Sequence, residues 1–547
     1  MDANSTNVTL SEGNSTLNSA VPAGILDRLL KPDFLILEAK VILSALSIIW
    51  LAAHASLRRP PSAAPSKKKG KDVKDIQFTE GLVASDAIMF PVMAAIVLVG
   101  LYYLMEYLQD PDVLNKILRV YISIIAIAGM GRLAADALNI LTSIVFPDMW
   151  VDRQGRLHTI GPKDESNGAE VTVPARSPFP GVFGRYHLSD RLVEMAWEVR
   201  HLFTEEWTAR FAVHGLVFVK FNLRLNSLLG ILIAILVSIA YHVMDWHILA
   251  NLIGSAITYS SFSLLFPTSF AIGSMVLWGL FVYDIVMVFY TPFMITVAKN
   301  VDAPIKLVFH GPSGVSLLGL GDIVVPGLLL GLALRFDLYR HYQKKIKLEP
   351  VELTKEVQTH GSGGSVATVD VQYKKVKAAY VDSQGQWGNR FWTTPLGRLF
   401  PVRVAVSVWE ATAFPKPYFY AAFGGYFLGM LVTLSVMAVF QHGQPALLYL
   451  VPGVTGSLWL TAVVRGELKE FWAYTEDGSL DVADVVVEVD ADGQVVKEIK
   501  KSKAEDVKGE DGEEEKEKPG AEKGKDGDYE VFLFSITAPR RRVAKQD

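Results

Sequence analysis

The chain has 547 residues, half of them hydrophobic, and its mean hydropathy of +0.27 is too high for an ordinary soluble protein. The formal net charge of −4 is segregated into loops and tail, so it leaves no nucleic-acid footprint. Cysteine is absent, which excludes disulfides, thiolate metal sites and a cysteine nucleophile.

Of the N-terminal tail 1–33, residues 1–23 are polar, with no basic region ahead of a short apolar core, so the segment does not look like a cleavable signal. Asn4, Asn7 and Asn14 each open a glycosylation sequon, which is usable only on the lumenal side. A bilayer core about 30 Å thick needs about 20 apolar helical residues. Nine such stretches follow, at 41–57, 87–105, 120–145, 225–241, 248–266, 270–297, 315–334, 418–440 and 445–464. They predict an all-α polytopic membrane protein, divided into spans 1–3 (34–146), a loop (147–224), spans 4–7 (225–335), an insert (336–417), spans 8–9 (418–465) and a charged tail (466–547).

Lysine and arginine concentrate after the first, third and seventh stretches, at Arg58, Arg59, Arg153, Arg156, Arg340 and Lys344 among others. The positive-inside rule then puts the N-terminus in the lumen and the C-terminus in the cytosol. Residues 197–220 are rich in Trp, Phe and Arg and suit either a membrane surface or a packed loop. The glycine- and serine-rich patch at 361–365 reads as flexible, and the Lys/Glu/Asp/Gly run at 500–528 as disordered. Residues 485–499 alternate around a turn and suggest a hairpin.

Ionisable side chains within a span cost several kcal/mol and need a reason. Arg132 and Asp136 lie four residues apart on one helical face and satisfy each other. Asp284 and Asp322 have no such neighbour on their own spans. The point midway between them falls in the polar connector 299–312, so an antiparallel pair of helices brings both to similar depth. Two carboxyls in contact in a low-dielectric site share a proton, which is acid–base machinery for peptide hydrolysis. Proton or sodium transport is the rival use, and a catalytically silent scaffold a third. Gly319 and Gly321 flank Leu320 and allow close approach to Asp322, Tyr283 precedes Asp284, and Pro292 kinks its helix. Pro445, Ala446 and Leu447 open the last stretch as a locally unwound segment, with Pro452 beyond.

Phe281-Val282-Tyr283-Asp284, Gly319-Leu320-Gly321-Asp322 and Gln444-Pro445-Ala446-Leu447 resemble, in order and position, the YD, GxGD and PAL motifs of the presenilin and signal peptide peptidase families. Thr296-Val297-Ala298-Lys299 and Asp302-Ala303-Pro304-Ile305-Lys306-Leu307 are similar to signal peptide peptidase in particular. The resemblance implies a nine-span, presenilin-like intramembrane aspartyl protease of the endoplasmic reticulum, with Asp284 and Asp322 catalytic and no cofactor or metal. Tyr283, Gly319, Leu320, Gly321, Pro445, Ala446 and Leu447 would shape the site and contact substrate. Its implied partners are the lipid bilayer, remnant signal peptides and type II membrane segments, with association into homo-oligomers or with quality-control proteins left open. The lumenal N-terminus agrees with signal peptide peptidase and is opposite to presenilin. The chain departs from the family in its inserts and in ending Val543-Ala544-Lys545-Gln546-Asp547, without the dilysine signal often seen there.

Overall fold

The computed structural model describes residues 32–64, 81–108, 111–151, 157–160, 178–180, 189–213, 217–244, 246–301, 303–312, 314–357, 366–381, 384, 387–393, 413–440, 444–481, 486–489, 495–499 and 532–537. The sequons at Asn4, Asn7 and Asn14, the patch at 361–365 and the charged run at 500–528 lie outside them.

In lipid each backbone N–H and C=O must find its partner within the segment, so the long apolar stretches coil. The helices are α1 (Pro32–Ala55), α2 (Ala84–Leu108), α3 (Pro111–Val145), α4 (Asp190–Thr204), α5 (Leu225–Met244), α6 (His247–Leu264), α7 (Phe270–Ile285), α8 (Phe293–Asn300), α9 (Leu320–Gln343), α10 (Trp387–Thr393), α11 (Pro417–Phe440), α12 (Leu447–Val464) and α13 (Leu468–Ala473). Among the described residues, seven are long and apolar enough to cross a membrane: α1, α2, α3, α5, α7 with the π turn that follows it, α11 and α12.

The fifth and seventh expected spans coincide with α6 and α9, which are not in that set. Composition is the reason. The α6 helix carries Asn251, Ser255, Thr258, Ser260 and Ser261, and α9 carries Asp322, Arg335 and Asp337. Both run inside the bundle, where polar side chains meet protein. Residues 325–338 of α9 are buried on every side, against α1, α6, α7, α11 and α12. On α6, the Ser255, Thr258 and Ser261 hydroxyls donate to carbonyls one turn back. Arg132 and Asp136 do pair, at 3.8 Å, and Asp136 also accepts a 2.8 Å bond from the Tyr259 hydroxyl.

Small residues let the helices approach. A Cβ on Gly230 of α5 would lie 2.5 Å from the Gly131 carbonyl oxygen of α3, and one on Gly327 of α9 would lie 2.2 Å from the Phe262 ring. Near the ends of these helices the segment after α13 is tied back by Glu476, which accepts from Arg335 at 2.8 Å, from the Tyr474 hydroxyl at 2.7 Å, and from Arg58.

Beyond the helices, four small antiparallel sheets lie among the described residues: β1 (Met149–Val151) with β2 (Leu157–Thr159); β3 (Trp207–Val213) between β4 (Val217–Leu223) and β11 (Phe532–Thr537); the hairpin of β5 (Lys306–Gly311) and β6 (Gly314–Gly319); and β7 (Lys347–Val357), β8 (Val366–Val376), β9 (Val486–Val489) and β10 (Val495–Ile499) in one sheet of order β10-β9-β8-β7.

Candidate active site

Asp284 stands near the end of α7, only 3% exposed. Ser269 caps the start of this helix, its hydroxyl accepting from the Ile272 amide at 3.3 Å. Directly after Asp284 and Ile285 the helix widens into a π turn, Val286–Tyr290, and breaks at Thr291. Pro292 has no amide to continue the ladder, and the Thr291 hydroxyl takes up one freed acceptor by donating to the Met287 carbonyl at 2.8 Å. The Tyr283 ring packs against the main core beside Asp284.

Asp322 is delivered by the β5–β6 hairpin, whose register runs from Lys306↔Gly319 to Gly311↔Gly314. Gly314 turns the chain at φ 139°, a conformation that side-chain-bearing residues rarely adopt. From α6, the Asn251 amide accepts from the Val308 N–H at 2.8 Å and donates to the Val308 carbonyl at 2.7 Å, so it holds the outer edge of β5 as a neighbouring strand would. That leaves β6 as the edge with no partner strand among the described residues. The last residue of β6, Gly319, passes straight into α9, and the Leu320 amide donates to the Ile305 carbonyl at 3.0 Å.

Asp322 thus lies in the first turn of α9, where free amides favour an acidic side chain. The two motif glycines do different things. A Cβ on Gly319 would sit 3.3 Å from an Asp322 carboxyl oxygen, whereas one on Gly321 would meet nothing within 4 Å. Gly321 is exposed and leaves the approach to Asp322 open; Leu320 is buried in the core.

The third side is the start of α12. Pro445 and Ala446 precede it, and the Leu447 amide, one of the donors left free by the first turn of any helix, donates to Asp284 Oδ2 at 3.1 Å. The Tyr426 hydroxyl of α11 donates to the Asp322 carbonyl at 3.3 Å. The α7, α9 and α12 helices pack on one another in all three pairs, so the motifs they carry converge on one place.

Several residues of this arrangement gave no sequence signal. Asp337 accepts from the Tyr418 and Phe419 amides at 3.3 and 2.9 Å and so caps α11, which carries Tyr426. The α11–α12 crossing depends on Gly425, whose added Cβ would lie 2.3 Å from the Gly453 carbonyl oxygen. Asp337 is one helical turn from Arg340, so the sequence reads it as part of a charged loop. Only its amide partners, 81 and 82 positions away, reveal the cap.

A membrane helix bundle that brings one carboxyl from each of two neighbouring helices together, with a proline-opened helix against them, has the form of an intramembrane aspartyl protease. The family model described as signal peptide peptidase matches residues 74–478. The chain belongs to the signal peptide peptidase family and is an intramembrane aspartic protease, which acts on transmembrane peptides in the bilayer. It is 25% identical to the signal peptide peptidase of Homo sapiens over 81% of this chain and 85% of that protein, and 25% identical to that of Mus musculus over 81% and 84%. Intramembrane protease 2 of Caenorhabditis elegans is 33% identical over 44% of this chain and 41% of its own length.

Proposed function

We propose that Asp284 and Asp322 are the catalytic pair, and that the chain cleaves remnant signal peptides and type II membrane segments in the endoplasmic reticulum. The observation that carries this reading is the convergence of Asp284, Asp322 and the Leu447 amide from three helices. Neither carboxyl has a basic residue within two turns of it on its own helix, so a shared proton is the economical state. The Leu447 bond suits Asp284 to the ionised role. Asp284 takes a proton from a water whose oxygen attacks the scissile carbonyl carbon, while Asp322 gives its proton to the carbonyl oxygen. Asp284 then protonates the amide nitrogen, the C–N bond breaks, and Asp322 recovers a proton from the collapsing diol, which leaves an acid, an amine and the starting dyad.

Tyr283, Gly319, Leu320, Gly321, Pro445, Ala446 and Leu447 shape the site around that chemistry. The substrate backbone has to be extended there, because an intact helix hides its carbonyls in its own hydrogen bonds. The open edge of β6, which leads directly to Asp322, supplies groups to pair with an extended strand. The charge distribution supports a lumenal N-terminus and a cytosolic C-terminus, with glycans on Asn4, Asn7 and Asn14. Purified wild type, Asp284→Ala and Asp322→Ala should be given a type II transmembrane peptide in vesicles and the products read by mass spectrometry. Only wild type should cut, and cleavage that survived either substitution would overturn the assignment.

A further inference from the structure

The region between α3 and α5, with β11 joined to it, presents two faces that carry exposed apolar side chains among the described residues. The first is on α4. Leu192, Met195, Val199 and Leu202 recur at the three- and four-residue spacing of one helical face and are 48%, 61%, 37% and 43% exposed. A second face of the helix, with Val193, Ala196, Trp197 and Arg200, is turned inward, and a third carries Asp190, Arg191, Glu194 and Glu198. A helix that merely packed on the protein would bury its apolar stripe. This one turns Val193, Ala196, Trp197 and Arg200 inward and still leaves the four-residue stripe outside.

The second face belongs to the β11-β3-β4 sheet. Side chains alternate across a sheet, and the register pairs Trp207 with Leu223, Phe211 with Phe534 and Ala209 with Ile536. That side is apolar; Ala209 is buried at its centre, and its β11 edge is open, with Phe534 and Ile536 58% and 52% exposed. The same register pairs Thr208 with Asn222 and Thr537, and Arg210 with Ser535, so the opposite side is polar along those pairs.

Both elements are fixed at one membrane boundary. Only Arg224 separates β4 from α5, and it is held by Glu206 at 3.1 Å. The α4 helix is anchored by Arg200, which donates at 2.5 Å to Asp148, just past the end of α3. The α3 and α5 helices pack side by side, with Asn226 at the start of α5 donating to Asn139 at 2.8 Å, so the end of one and the start of the other share a level. The lipid-facing side of α5 opens with the exposed Leu228, Ile231 and Leu232, which continue the apolar surface into the bilayer.

We infer that α4 and the β11-β3-β4 sheet form a platform lying flat on the leaflet that α5 enters, with the α4 stripe and the Phe534/Ile536 face set at the boundary between headgroups and acyl chains. The platform does not depend on the catalytic roles assigned to the aspartates. It also clips residues 532–537, near the C-terminal end of the chain, to the membrane surface beside α5.

The chain has no cysteine, so each introduced thiol is unique. Full-length Met195→Cys, Val199→Cys, Phe534→Cys and Ile536→Cys, with Glu194→Cys and Asn222→Cys for comparison, are labelled with an environment-sensitive fluorophore and reconstituted in phosphatidylcholine vesicles. A nitroxide-labelled phosphatidylcholine and aqueous iodide serve as quenchers, and cleavage of a transmembrane peptide reports folding. Labels at 195, 199, 534 and 536 should emit to the blue, lose emission to the lipid nitroxide and resist iodide. Those at 194 and 222 should do the reverse. Iodide quenching on the apolar faces, or protection there from both quenchers as under a covering protein, would overturn the inference. Two positions on each element keep the result readable if one variant does not fold.

Discussion

Replacing Gly425 by alanine tests how the last helix is held against Asp284. The new Cβ would lie 2.3 Å from the Gly453 carbonyl oxygen and 2.6 Å from the Ser457 hydroxyl. One obstacle is backbone, so it cannot rotate away, and ordinary contact requires α11 and α12 to separate by about 1 Å. Gly453 lies less than two turns from Leu447, and a rigid helix transmits the shift to the 3.1 Å bond between the Leu447 amide and Asp284. Misplacement of about 1 Å at a catalytic group lowers rate by about 100-fold, and overpacking of this kind costs about 1–3 kcal/mol of stability. Gly424 is the control, since a Cβ there meets nothing within 4 Å. Its replacement by alanine should be neutral or stabilising by up to about 1 kcal/mol through helix propensity. The assay is kcat/KM on a transmembrane peptide in vesicles, with thermal unfolding in parallel. Wild-type activity in Gly425→Ala, or equal losses in both variants, would refute the reasoning.

Asp337→Ala removes the acceptor for two first-turn amides of α11 and should cost about 1–3 kcal/mol by thermal unfolding, while Asp337→Asn, which keeps an acceptor, should cost less. Burial pushes the Glu467 carboxyl up, but hydrogen bonds from Arg465, Arg340 and Tyr418 more than reverse this and hold it at about 2, below its ordinary 4.5. A depressed value means that the stabilisation is complete above about pH 4.5 and lost as pH falls toward 2, so acid unfolding of wild type should steepen in that window and that of Glu467→Gln should not. A substrate whose transmembrane stretch is made uniformly leucine should be cleaved more slowly than one with helix-destabilising residues, and equal rates would count against a requirement for local unwinding.

The carboxyls of the site are legible in the sequence because charge is rare in apolar stretches. Asp284 and Asp322 stand out for lacking a partner on their own helices, and Arg132 and Asp136 for having one. The same rule conceals the lower half of α9. Arg335 and Asp337 read as the end of a span at 334, yet the helix runs to Gln343 and both are buried. Their partners, Glu476 and the Tyr418 and Phe419 amides, are close only in space. The β5–β6 hairpin was hidden for another reason. Its strands are six residues each and carry glycines, too short for alternation to separate them from a polar connector and the start of a span. The start of α1 at Pro32 rather than 41 reflects Glu38 and Lys40, which depress the hydropathy of a turn that is nevertheless helical.

The central claim is that Asp284 and Asp322 act as one unit. It is tested most directly by the affinity of a hydroxyl-bearing mimic of the tetrahedral intermediate for wild type, Asp284→Asn, Asp322→Asn and the double variant, measured in vesicles. A shared-proton dyad binds the hydroxyl in place of the attacking water, so each single substitution should abolish tight binding as fully as the double. Single losses that simply add up to the double loss, or tight binding that persists in either single variant, would contradict the account.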